Sequence, residues 1–108
     1  MSNKTDVSNA GQKLLYEEGQ LLVCANQSDY KNYPDFAQAV SAFDEAAKAF
    51  RKSIGEKDMV KKAQAYSTAA NNFRVELEKI HKIPPACENH LGYESRREFI
   101  NTVRAFTA

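Results

Sequence analysis

The stretch FAQAVSAFDEAAKAFRKSIG, residues 36–55, decides the fold. Phe36, Val40, Phe43, Ala47, Phe50 and Ile54 recur at alternating intervals of four and three, so all six fall on one face of an α-helix. A strand would need apolar residues at every second position, and this stretch has no such alternation. Pro34 suits a first helical turn, where its missing N–H costs nothing, and Asp35 suits the positive end of the helix dipole. Gly55 supplies the left-handed residue that commonly ends a helix. A helix is therefore expected over 35–54.

Working outward, Met59, Ala63, Tyr66, Ala70, Phe73, Leu77 and Ile80 repeat the same spacing. Pro84-Pro85 forbids continuation, so a third helix is expected over 57–82. With only a residue or two around Gly55 between them, the second and third helices must form an antiparallel hairpin. The many alanines on both (Ala39, Ala42, Ala46, Ala47, Ala63, Ala69 and Ala70 among them) allow close approach. Upstream, Val7, Ala10, Leu14, Leu15, Leu21, Leu22 and Ala25 define a first helix over 8–27. Gly11 and Gly19 weaken it by about 1 kcal/mol each relative to Ala. Residues 1–7 are expected to be disordered. Ser28, Asp29, Asn32 and Pro34 make the next loop. Downstream, Phe99, Ile100, Val103 and Phe106 form the apolar face of a short fourth helix over 93–106.

No amphipathic helix can bury its stripe alone, and short connections favour antiparallel neighbours. The expected fold is all-α: one domain spanning 1–108, an antiparallel up-down-up-down four-helix bundle with a short fourth helix.

That topology brings distant residues together. The first and third helices point the same way. Cys24, near the end of the first, and Cys87, just past the third, therefore fall at one tip. A disulfide needs Cα atoms within about 7 Å, which this arrangement permits, and a Cys24–Cys87 bridge is expected. It would add several kcal/mol by closing a long loop and would place the chain in an oxidising compartment. Two free thiols are the alternative, and Cys-X-X-Cys redox spacing is absent.

The same tip gathers Tyr30 and Tyr33 with His90, Tyr93, Arg96 and Arg97. Tyr and Arg are enriched at binding hot spots, and loops on a rigid scaffold often carry recognition, so this end is expected to bind a partner protein. The competing reading has the tyrosines capping the core while Arg96 and Arg97 solvate the fourth helix. A second candidate surface is the fourth helix itself. If it is too short to cover the lower half of the hairpin seam, Phe99, Ile100 and Phe106 would lie near a self-association or partner contact.

Catalytic and cofactor patterns are weak. His81, Cys87, Glu88 and His90 could approach one another, but a structural zinc usually takes four ligands with paired cysteines. Glu78-Lys79-Ile80-His81 matches Glu-x-x-His once, without the second copy that carboxylate-bridged bundles use. Small haem bundles share only the general pattern, and Met59 and His81 sit at opposite ends of one helix. Neither histidine is fixed against a nucleophile, and the Asp44-Glu45 and Glu17-Glu18 pairs read as solvated helix faces. No catalytic residue, metal or cofactor is expected. The Asn-x-Ser/Thr matches at Asn3 and Asn26 are short enough to arise by chance.

Fifteen Lys and Arg stand against fourteen Asp and Glu, a formal charge of +1, which disfavours nucleic-acid binding. The longest apolar run, Leu21–Ala25, is far below the roughly 20 residues of a membrane span, and the polar start shows no secretory h-region. The expected protein is a small, soluble, non-catalytic interaction or accessory domain. It is disulfide-stapled and periplasmic or secreted if a leader was removed before Met1. The alternatives are a cytosolic adaptor or an inhibitor of the antitoxin type with reduced thiols, and, third, a haem- or metal-binding bundle.

Overall fold

The computed structural model describes residues 3–27, 32–79 and 92–107, with side chains at 3–17, 32–77, 79 and 95–107. Four helices account for nearly all of them: α1 (Lys4–Gln27), α2 (Pro34–Ser53), α3 (Met59–Lys79) and α4 (Gly92–Thr107). At 1.5 Å per residue α1 is about 36 Å long, close to the 39 Å long axis of a 39 × 22 × 22 Å molecule.

Helix α1 starts four residues earlier than expected, so residues 4–7 are helical. The cause is a reciprocal cap. Asn3 Oδ1 accepts the Asp6 N–H (2.9 Å), and Asp6 Oδ2 accepts the Asn3 N–H (3.1 Å). The cap places Val7, only 1% exposed, in the core. Helix α2 starts with Pro34 in its first turn and ends at a turn through Gly55, whose φ is +85°. Five residues, not one or two, join α2 to α3. Within this turn the Glu56 N–H bonds to the Ser53 carbonyl (2.8 Å) and the Met59 N–H to the Glu56 carbonyl (3.3 Å).

The antiparallel order is fixed by cross-helix pairs. On α1 and α4, Lys13 meets Glu98 (3.3 Å), and Glu17, one turn further up α1, meets Ser95, one turn back on α4. On α2 and α3, Phe36 packs on Phe73 and Phe43 on Tyr66. The start of α1 (Lys4, Ser8) lies beside the α2–α3 turn (Ile54, Met59). Helices α1 and α3 therefore run parallel, as the up-down-up-down order requires. The main packed pairs are α2 with α3 and α1 with α4, followed by α3 with α4; among the described residues the α2 and α4 backbones stay apart and the two helices meet through Phe50 and Phe99.

The core is built on an aromatic ladder. Phe36, Phe73, Phe43, Tyr66, Phe50 and Phe99 follow one another with ring centroids 4.9–5.7 Å apart. Tilted and offset pairs at such distances add about 0.5–1.5 kcal/mol each beyond simple burial. Phe99 brings α4 into the ladder, and Gly11 brings in α1. A methyl group on Gly11 would collide with the Phe50 ring and would lie 3.1 Å from Phe99 Cε1. Gly11, read from sequence only as a helix-weakening residue, is thus the notch that admits Phe50.

Among the described residues α4 reaches the lower half of the seam, contrary to the expectation for a short fourth helix. Asn9 and Ala10 of α1 line a groove with Thr102, so α4 runs down to the level of the α1 start. Its Phe99, Ile100 and Val103 are buried, and Phe106 packs partly buried against the core. Phe99 is fully covered in this way, while Ile100, 8% exposed, keeps a small edge at the α3–α4 boundary.

Candidate functional site

Helix α4 has three faces, and their chemistry differs. The inner face carries Arg96, Phe99, Ile100 and Val103, spaced three, one and three residues apart on a single stripe. Arg96 is 0% exposed and sets its guanidinium carbon 5.9 Å from the centre of the Phe73 ring. This corrects both readings of Arg96 made from sequence. It neither lies on an open surface nor solvates the helix, because its position three residues before Phe99 and four before Ile100 makes it part of the core stripe. The face toward α1 is balanced in charge and hydrogen-bonded. Lys13 pairs with Glu98, and buried Ser95 donates its hydroxyl to Glu17 Oε2.

The third face looks toward α3, and there the charge is one-sided. Arg97, Asn101 and Arg104 follow at four and three residues, one stripe of α4, and Arg97 and Arg104 are exposed. Asn71 and Arg74 of α3 face them across a groove of about 320 Å³, with Ile100 as its apolar floor. The half-buried Arg74 guanidinium donates to Asn71 Oδ1 at 3.3 Å, which fixes its direction. Among the described residues lining the groove none is acidic.

Arg97 and Arg104 are seven residues apart, about 10.5 Å along the helix. In water two such cations repel by only about 0.4 kcal/mol. The arrangement therefore costs the fold little while favouring any anion that enters. Guanidiniums are donors only and match carboxylate or phosphate oxygens in pairs. Asn71 and Asn101 add neutral amides, and Ile100 adds a small dry contact.

The other residues expected at the tip fall out as follows. Tyr33 is the N-cap residue of α2, 40% exposed, and its carbonyl accepts the Ala37 N–H (3.0 Å). Arg97 is exposed but belongs to the α3–α4 groove. Tyr93 lies in the first turn of α4 and Cys24 in the last turn of α1, with side chains outside the described residues. Tyr30, His81, Cys87, Glu88 and His90 are outside the described residues altogether. Among the described residues, no three His, Cys, Asp or Glu side chains gather as metal ligands would. Nor, among the described residues, is any helix long and apolar enough to cross a membrane.

Sequence reading missed Asn71, Arg74, Asn101 and Arg104. The seven-residue interval from Arg97 to Arg104 was legible as one stripe. That Asn71 and Arg74 stand opposite it was not, because this depends on how α3 and α4 pack. No protein-family model, curated protein or solved structure matches the chain.

Proposed function

We propose that this chain is a non-catalytic interaction protein that engages an acidic partner protein on the α3–α4 face. The observation that carries the reading is the groove itself: three arginines and two asparagines around Ile100, with no carboxylate among its described lining residues. Arg is among the residues most enriched at binding hot spots, and unlike charge across an interface raises the association rate and selects the partner. The helices that display these side chains are held by the aromatic ladder, so little ordering remains to be done on binding.

The test is site-directed photo-crosslinking in the native host. A crosslinker at Arg97 should trap one discrete protein, and the same group at Gln38 on α2 should not. The trapped protein, purified and titrated against this chain, should lose at least tenfold in affinity when Arg97 and Arg104 are both changed to Glu. Equal trapping from both positions, or unchanged affinity of the double variant, would overturn the reading.

Within this proposal the chain is an exported accessory protein, periplasmic or secreted, stapled by Cys24–Cys87. The support is positional. Lys79 and Gly92, which flank the segment carrying Cys87, lie at the end of the bundle where α1 finishes with Cys24. Protein purified without reductant should take up no thiol label before reduction and two labels after. Two labels before reduction would favour the cytosolic adaptor.

A further inference from the structure

We infer that the occupant of the α3–α4 groove is an acidic amphipathic helix of the partner, laid along α4 with carboxylates seven residues apart. This rests on the interaction reading above and adds the shape of the ligand. The deciding feature is the interval between Arg97 and Arg104, about 10.5 Å along one face of α4. A helix repeats its own face at the same interval, so carboxylates at i and i+7 meet both guanidiniums when the two helices lie nearly parallel or antiparallel. An extended segment does not match. Its same-face residues recur at about 6.8 Å and 13.6 Å, and residues about 10 Å apart point to opposite sides.

The groove fits a helix in two further ways. It lies between two antiparallel helices, the setting in which side-chain ridges accept another helix. Its floor is one aliphatic residue, Ile100, which suits a single apolar side chain placed between the two carboxylates. Arg74, oriented by Asn71, stands across the groove and adds to its positive potential. Nucleic acid is a poorer fit. Three arginines neutralise at most three phosphates, giving a logarithmic salt slope no steeper than about −2.7.

The experiment uses the full chain and two synthetic 21-residue helical peptides of identical composition. One carries Glu at i, i+7 and i+14 around a central Leu; the other carries the same residues at intervals of five. Binding is followed by amide chemical shifts. The in-register peptide is expected to bind at least tenfold more tightly, to shift Arg97, Asn101 and Arg104, and to weaken at least tenfold in the Arg97→Glu/Arg104→Glu variant. A 20-base-pair DNA duplex and inorganic pyrophosphate are titrated alongside. Equal affinity for the two peptides would overturn the inference. So would tighter binding of the duplex or of pyrophosphate, or shifts confined to another face. If the trapped natural partner loses affinity in the double variant but docks through an extended segment, the helix inference fails and the interaction reading survives.

Discussion

Two residues read one way in sequence and another in three dimensions. Gly11, like Gly19, is among the worst residues in α1 by intrinsic propensity, and alanine there would gain about 1 kcal/mol in an isolated helix. In the bundle the added methyl meets the Phe50 ring, which is 0% exposed and packed against Tyr66 and Phe99. A ring held on both sides cannot move away cheaply, and overpacking of this kind costs about 1–3 kcal/mol. Gly11→Ala is therefore expected to lower stability by a net amount of up to about 2 kcal/mol, read as a lower urea midpoint. Gly55→Ala is the comparison. Nothing lies within 4 Å of a Cβ there, and its cost of about 1 kcal/mol comes from the positive φ alone. Arg96 gives the second prediction. Its buried side chain lies beside Phe73, so Arg96→Ala should leave a void and cost about 2–4 kcal/mol. Thermal melting should fall by roughly 10 °C or more. If Arg96 were instead a surface contact, the melt would stay put and only partner affinity would change.

At the level of elements, α4 is attached to α1 by two polar contacts of unequal worth. Lys13–Glu98 joins side chains that are 55% and 56% exposed, and exposed pairs contribute about 0–1 kcal/mol. Ser95 is buried and donates to a carboxylate, a stronger kind of bond. Ser95→Ala is expected to cost about 1–3 kcal/mol, and Lys13→Ala less than about 0.5, in parallel denaturant titrations. Equal losses would mean that the shielding of Ser95 contributes nothing. The elements also show where local signals were overlooked. Asn3 and Asp6 carry the asparagine-x-x-acid pattern of a reciprocal cap, which reads directly from sequence and starts α1 at Lys4. By contrast, the apolar spacing in α2 and α3 marks their buried faces well. Phe36, Phe43, Ala47 and Phe50, and Met59, Ala63, Tyr66, Ala70 and Phe73, are all buried where the pattern puts them. Ala39, Ser53 and Ala69 widen those stripes, since a bundle helix buries more than two positions in seven.

For the whole molecule, the near-zero net charge conceals an uneven surface. The Lys13–Glu98 side of α4 is neutral by pairing, whereas the α3 side carries Arg74, Arg97 and Arg104 together. Because Arg97 and Arg104 are exposed and outside the core, Arg97→Glu/Arg104→Glu should fold normally, with stability within about 1 kcal/mol of the parent. Matching helical circular dichroism and melting curves would check this. A large loss of stability would mean that the groove is a structural contact and not a docking surface. The same reasoning separates Arg97 from its neighbour in the chain: one arginine should matter for binding and the other for folding.

The sequence alone determined the helices, their antiparallel order and most of the buried positions. These follow from periodicity and from short connections, which act over a few residues at a time. It could not tell which of two adjacent arginines faces inward, that Gly11 makes room for a phenylalanine from another helix, or that Asn71 and Arg74 stand across from Arg97 and Arg104. Those facts depend on the rotation and height at which whole helices dock. Docking is set by the fit of large aromatic side chains from separate parts of the chain, and no local spacing encodes that fit.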